Sequence, residues 1–357
     1  VTQIPEDDFD PEEIEPPREV EAISYFGTDF DVHGLVRRLN QSDVRIPSFD
    51  PVSDGESDLA GFQRKFVWKR LQMDRFIESL LLGFPVPDIF FVQQSDKSLL
   101  VLDGQQRLTT MQKFYAGNFA LESVVDVFKG LTYQTLDDEQ RRSLDNFFIH
   151  ATVIRYTASP AGAESIYSIF ERLNAGGTNL HPHEIRVALY NGPLVELLRD
   201  LNRIPSWRNL YGPANPRLKD QEQILRFIAL YLNASGYQRP LKSFLNRFIF
   251  DNREMKALDA TVLTDVFTRT CDVLDAGLGR SAFRLTTSIN SALADAVMVG
   301  VARRLEKGPI KKPDKLRPAF ERLTVDQRFK DSVARATADE ARVDFRLTEA
   351  TKAFSKV

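Results

Sequence analysis

Between Ser98 and Gly117 the chain reads SLLVLDGQQRLTTMQKFYAG, and five adjacent residues there, Asp103 to Arg107, are suited to chemistry on a phosphate. Arg107 offers a planar guanidinium that can hold a phosphate through two bonds. Gln105 and Gln106 supply amide donors and acceptors for a phosphate, a base edge or a water. Asp103 can fix Arg107 or Gln106 in place, or carry Mg²⁺ through water. Gly104 has no side chain to keep a ligand from the backbone. The same residues also read as a plain turn followed by a solvated helix start, and spacing alone leaves both readings open.

The elements that must position these groups follow from the flanking pattern. Leu99 to Leu102 is too short an apolar run for a helix and reads as a buried strand. From Leu108 the apolar residues return at helical spacing (Met111, Phe114, Tyr115) until Gly117, placed as a helix-ending glycine. Strand, glycine turn and helix make a plausible anion site, because the first N–H groups of a helix lack partners and sit at the positive end of its dipole. Upstream, Ile89 to Val92 forms a second strand and a hairpin with the first, its turn at Gln94 to Lys97. Met73, Phe76, Ile77, Leu80 and Leu81 mark a one-sided helix. Phe30 to Asn40 reads as another, and IHATVIRY, ending at Tyr156, as a strand.

Beyond Ser159 the pattern is mainly helical. The first of these helices, with Ile166, Ile169, Phe170 and Leu173 on one face, stops at Asn174. Gly176, Gly177 and Thr178 could then form a backbone nest for an anion, or only a tight turn. Further helices are expected over Gln221–Leu232, Leu241–Phe250, Ala260–Leu274, Ser288–Leu305 and Val325–Phe354. Val343, Leu347, Ala350 and Phe354 suit the last for docking on the body. His181, His183 and Glu184 do not read as a metal site, since the histidines are two apart rather than four. His150, within a strand, reads as a core or edge residue.

Composition narrows the class. With 357 residues, 43% of them hydrophobic, the chain can fill more than one core. One cysteine, Cys271, allows no internal disulfide, and the apolar runs are too short for a membrane helix, so a soluble, cytoplasmic protein is expected. The net charge of −3 makes the whole chain no magnet for nucleic acid. Nine Asp or Glu stand against one Arg in residues 1–22, which read as a Pro-rich disordered tail. Residues 301–357 carry 15 Lys or Arg against nine Asp or Glu, a basic region that could touch DNA or simply face solvent. There is no GxxxxGK[ST], HExxH or GxSxG motif.

DGQQRLTT resembles the signature of the GmrSD restriction-endonuclease N-terminal domain family, of the ParB/sulfiredoxin superfamily. FQRKFVW (Phe62–Trp68), FIESLLLGFPVPDIFF (Phe76–Phe91), FERLNAGGTNL (Phe170–Leu180) and EIRVALYNG (Glu184–Gly192) resemble further family segments. Weaker similarity continues in EQILRFIALYL (Glu222–Leu232) and FRLTTSINSALADAV (Phe283–Val297), so that the resemblance runs from about Ile23 to the end. One departure is SFDPVSDGESDLAG (Ser48–Gly61), which separates Ile46 and Pro47 from FQR where the family runs almost directly on. The insertion reads as a surface loop, a candidate lid or specificity loop.

The resemblance implies an α+β protein: a small mixed-sheet ParB/sulfiredoxin-like core over residues 23–158, then a mainly α-helical half over 159–357. It implies a nucleotide-binding, NTP-hydrolysing sensor module of a bacterial antiphage or restriction system acting on or with DNA. Mg²⁺ would accompany the nucleotide, and a nuclease or other defence protein is an expected partner, with oligomerisation possible. Asp103, Gln105, Gln106 and Arg107 would act on the phosphates. Gln63, Arg64, Trp68, Gly104, Arg172, Asn174, Gly176, Gly177 and Thr178 would complete the pocket, braced by Glu184 and Arg186. Larger relatives carry a C-terminal HNH nuclease module, and with no histidine after His183 this sequence does not. Two rival readings are a ParB-like DNA-binding protein or nuclease without NTP turnover, and a non-catalytic scaffold or toxin-like partner.

Overall fold

The structure is a computed structural model, described here for residues 20–47, 68–174 and 180–357. The chain divides into two compact units, one of Glu21–Leu180 and one carried by His181–Val357. The first holds β1 (Ser24–Asp31), α1 (Val32–Asn40), β2 (Val44–Arg45), α2 (Arg70–Leu81), β3 (Ile89–Gln93), β4 (Leu99–Asp103), α3 (Gln105–Tyr115), α4 (Asp138–Asp145), β5 (Phe148–Arg155) and α5 (Pro160–Asn174). The chain is thus α+β, with a mixed sheet at its start and helices thereafter.

The sheet order is β1-β5-β3-β4-β2. β1 with β5 and β3 with β4 are antiparallel, while β3 with β5 and β2 with β4 are parallel. Alternation along the strands decides which layer each face meets. Ile149, Ala151 and Val153 of β5, Ile89 and Phe91 of β3 and Val101 of β4 join one core with apolar residues of α1 to α4. Val92, Leu100, Leu102 and Ile154 are buried outside that core. α5 packs on β4 and buries Ile166, Tyr167 and Phe170. α2 is anchored through Asp74, fully buried, which pairs with Arg70 at 2.8 Å and accepts from the Glu122 and Ser123 N–H groups.

The second unit holds α6 (Pro182–Leu189), α7 (Pro193–Leu201), α8 (Pro205–Tyr211), α9 (Lys219–Asn233), α10 (Leu241–Asn252), α11 (Ala260–Gly277), α12 (Ser291–Leu305), α13 (Leu316–Val325), α14 (Gln327–Ala334) and α15 (Glu340–Phe354). α9 and α12 are buried nearly all round, which makes them the centre of this unit. The absence of a side chain at Gly300 lets α12 approach the Ala350 backbone of α15, since a Cβ there would lie 2.9 Å from its carbonyl carbon.

Two expectations need correction. The single helix over Val325–Phe354 is two helices, because Asp326 and Asp339 each stand in extended backbone and accept an N–H of the helix that follows. The helix expected from Phe30 starts at Val32, capped by Asp31, and Phe30 ends strand β1, which the sequence reading did not foresee. None of the described helices is long and apolar enough to cross a membrane.

Candidate functional site

β4 ends in a bulge. Phe91 pairs with Val101 but Phe90 pairs with Asp103, which leaves Leu102 as the extra residue and turns the strand end just before Gly104. Gly104 then takes φ +103°, a left-handed conformation that any side chain would strain. A Cβ there would also lie 3.0 and 3.1 Å from the Ile89 side chain and 3.4 Å from Arg107 Nη2. Glycine is therefore required both by the turn and by the closeness of the Ile89 side chain. α3 begins at once, with Gly104 as a cap that has no side chain to offer. The Leu108 N–H is the first to bond back along the helix, to the Gly104 carbonyl.

At this start Arg107 is turned inward, its side chain 13% exposed. Nη2 donates to Asp103 Oδ2 at 3.0 Å and to the Asp88 carbonyl at 2.8 Å. Its Nε is buried and has no partner among the described residues. Gln106 reaches across to the segment before α2, its Oε1 accepting from the Trp68 N–H at 3.2 Å. Gln105 is buried, and no hydrogen bond to its side chain is found among the described residues. Asp103, 45% exposed, keeps Oδ1 outside its bond to Arg107.

The structure thus brings together Trp68, Asp103, Gly104, Gln105, Gln106 and Arg107. Gln63, Arg64, Gly176, Gly177, Thr178, the side chain of Asn174 and the insertion Ser48–Gly61 lie outside what is described. Arg172 is exposed near the end of α5, and no hydrogen bond or ion pair joins it to the motif among the described residues. Asp88 was not legible as a partner, because it contributes a backbone carbonyl rather than its carboxylate. Its one signal was position, at the entry to the strand paired with β4.

Glu184 and Arg186 belong to the helical unit. Glu184 closes a capping box on α6 by accepting from the His181 N–H at 2.6 Å. Arg186, 1% exposed, donates to Asn246 Oδ1 at 2.7 Å and Glu222 Oε2 at 2.8 Å. Burial by itself would raise the Glu222 carboxyl, but Arg186, His181, His183 and Arg226 outweigh it and bring it down to about 2. His183 is fully buried, its ring nitrogens lack hydrogen-bond partners among the described residues, and burial holds it neutral, down to about 3. Among the described residues no set of three His, Cys, Asp or Glu is arranged to hold a metal ion.

A second buried cluster lies between α9 and α12. Asp295, fully buried, receives Arg226 at 2.7 and 3.2 Å and Gln223 at 2.8 Å, with Arg346 of α15 at 3.5 Å. Some cations of the basic C-terminal stretch are engaged internally, while Lys307, Lys311, Lys312, Lys315 and Lys330 are exposed. Arg304 donates to the Val357 and Gly308 carbonyls, and Arg342 to those of Asp331 and Arg335.

A small mixed sheet delivers Asp, Gly, Gln, Gln and Arg to the start of a helix, which defines a class of domain with a glycine-centred strand-to-helix turn. Residues 49–191, which include the whole of that turn, match the family described as GmrSD restriction endonuclease, N-terminal domain. The chain therefore carries a domain similar to the N-terminal domain of that endonuclease, and the family resemblance read from DGQQR holds over this stretch. No curated protein matches the chain.

Proposed function

We propose that the Glu21–Leu180 unit binds a nucleoside triphosphate at Asp103–Arg107 and hydrolyses it, as the sensor module of a bacterial restriction or antiphage system that acts on or with DNA. The observation that carries this reading is the Arg107 guanidinium at the start of α3. It is held by Asp103 and the Asp88 carbonyl, while Nε is buried without a partner among the described residues. A buried donor left unpaired costs about 1–3 kcal/mol. A helix start beside a left-handed glycine is where an anion can offset that cost. The match to a restriction-endonuclease domain supports the defence setting.

In this reading Arg107 neutralises phosphate charge that grows in the transition state. Asp103 fixes the guanidinium. Gln105, whose amide has no other bond among the described residues, orients the attacking water, and Gln106 ties α3 to the Trp68 segment. Mg²⁺ bound with the triphosphate would supply further charge neutralisation, and Asp103 would hold it through a water. A nuclease or other defence protein supplies the cutting groups. In the DNA-binding alternative the basic C-terminal region supplies the contacts, and of its cations Arg304, Arg342 and Arg346 are engaged within the helical unit.

The test is a thermal-shift panel of nucleoside triphosphates with Mg²⁺, followed by phosphate-release assays. A ligand at one hundred times its Kd stabilises by about 2.7 kcal/mol, a readily measured rise in Tm. No shift and no phosphate release with any nucleotide would overturn the reading.

A further inference from the structure

At the other end of β4 from Asp103, a cavity of about 530 Å³ opens on the sheet face that carries Phe26, Phe30 and Val153. Five strand residues separate the two places by roughly 13 Å, and none of Asp103–Arg107 lines it. Its size falls within the roughly 300–1,000 Å³ range of small-molecule sites.

The floor is apolar, formed by Phe26, Phe30, Leu99 and Val153. Val153 and Leu99 are buried, whereas Phe26 is 37% exposed. The rim is charged and unbalanced. Arg45 and Asp96 neutralise each other at 2.7 Å, and Ser98 adds two bonds to the same carboxylate. Arg38 and Lys97 also line the cavity and have no ion pair among the described residues, with Asp43 the remaining carboxylate.

Two guanidinium groups lie over the two floor rings. Arg38 is 5.5 Å from the centre of Phe30, and Arg155, beside the cavity, is 4.4 Å from that of Phe26. Arg155 is oriented by Gln93, its Nε donating to Oε1 at 3.1 Å. Arginines over phenylalanine rings, beside cations without an ion pair among the described residues, suit a flat, aromatic ligand that carries a negative charge.

We infer that this cavity is a second binding site, separate from Asp103–Arg107, for a nucleoside phosphate unit. The base stacks on the Phe26–Phe30 floor and its arginines, and the phosphate sits between Arg38 and Lys97. The unit could come from a free mononucleotide or from a single strand. The inference does not depend on NTP turnover at Arg107.

The experiment measures fluorescence anisotropy of a short labelled oligothymidylate with the full chain, competed by free dTMP or by unlabelled oligonucleotide. Saturable binding is expected, weakened roughly tenfold by Arg38→Ala and by Lys97→Gly and unchanged by Arg107→Ala. Lys97 has φ +70°, so glycine there relieves strain, and a lower affinity at an undiminished Tm excludes misfolding as the cause. Displacement by dTMP shows that a mononucleotide suffices, and displacement by the oligonucleotide alone shows that a strand is needed; either supports the site. No saturable binding of either probe, binding indifferent to both cavity variants, or binding lost only in Arg107→Ala would overturn it.

Discussion

Arg107, in the first turn of α3, and Asp103, at the end of β4, meet at 3.0 Å, while the same Arg107 nitrogen also bonds the Asp88 carbonyl. The guanidinium is thereby held in place by the two ends of a hairpin before any ligand arrives. Such prior positioning is what a charge-stabilising group needs, because it does not have to reorganise during the reaction.

Arg107→Ala is expected to lower NTP turnover by about 10²- to 10³-fold or more while the protein stays folded. Arg107→Lys should lose nearly as much, since an ammonium cannot reproduce the planar fork. Phosphate release measured alongside circular dichroism decides the matter, and turnover near the wild-type rate in either variant would remove Arg107 from the mechanism.

Gly104→Ala is expected to destabilise the first unit by about 1–3 kcal/mol, from the left-handed backbone together with contacts to Ile89. Chemical denaturation measures it. Because relief of that strain would shift the start of α3 that carries Arg107, nucleotide affinity should fall further than stability alone explains.

Asp295→Ala would leave Arg226 and Arg346 buried without their carboxylate. A loss of about 3–5 kcal/mol is expected, seen as a lower Tm of the helical unit. An apolar triple replacement of Asp295, Arg226 and Arg346 should recover much of it, because the cost arises from the uncompensated charge rather than from the missing bond.

Glu222 sets a pH dependence. Its carboxyl is held down from 4.5 to about 2 in the folded chain. The unfolded state therefore binds the proton first as pH falls, and stability due to this group is complete above about pH 4.5 and lost on descent through about pH 2. Thermal melts across that window should show a steep fall that Glu222→Gln flattens.

Most elements near the turn were legible because their signals are local. Leu99–Leu102 could bury as a strand, Gly117 (φ +72°) could end a helix, and the apolar stripe of α2 needs one covered face. β1 was not, since Ser24–Asp31 is largely exposed, shows only Phe26 and Phe30 as an apolar alternation and is fixed as a strand by its pairing with β5. The break in the last helical run was also missed, because two aspartates that cap helices look in sequence like any charges on a solvated face.

The sequence by itself determined that Asp103, Gly104, Gln105, Gln106 and Arg107 would sit at a strand-to-helix turn, since nearest-neighbour sterics and periodicity suffice for that. Only the tertiary structure decided what each one meets. The Asp88 carbonyl, the Ile89 side chain and the Trp68 N–H come to the motif from outside it. Asp295 likewise meets arginines distant in sequence. Such partners are chosen by strand register and helix packing, which depend on the whole buried surface and leave no mark in any short stretch of residues.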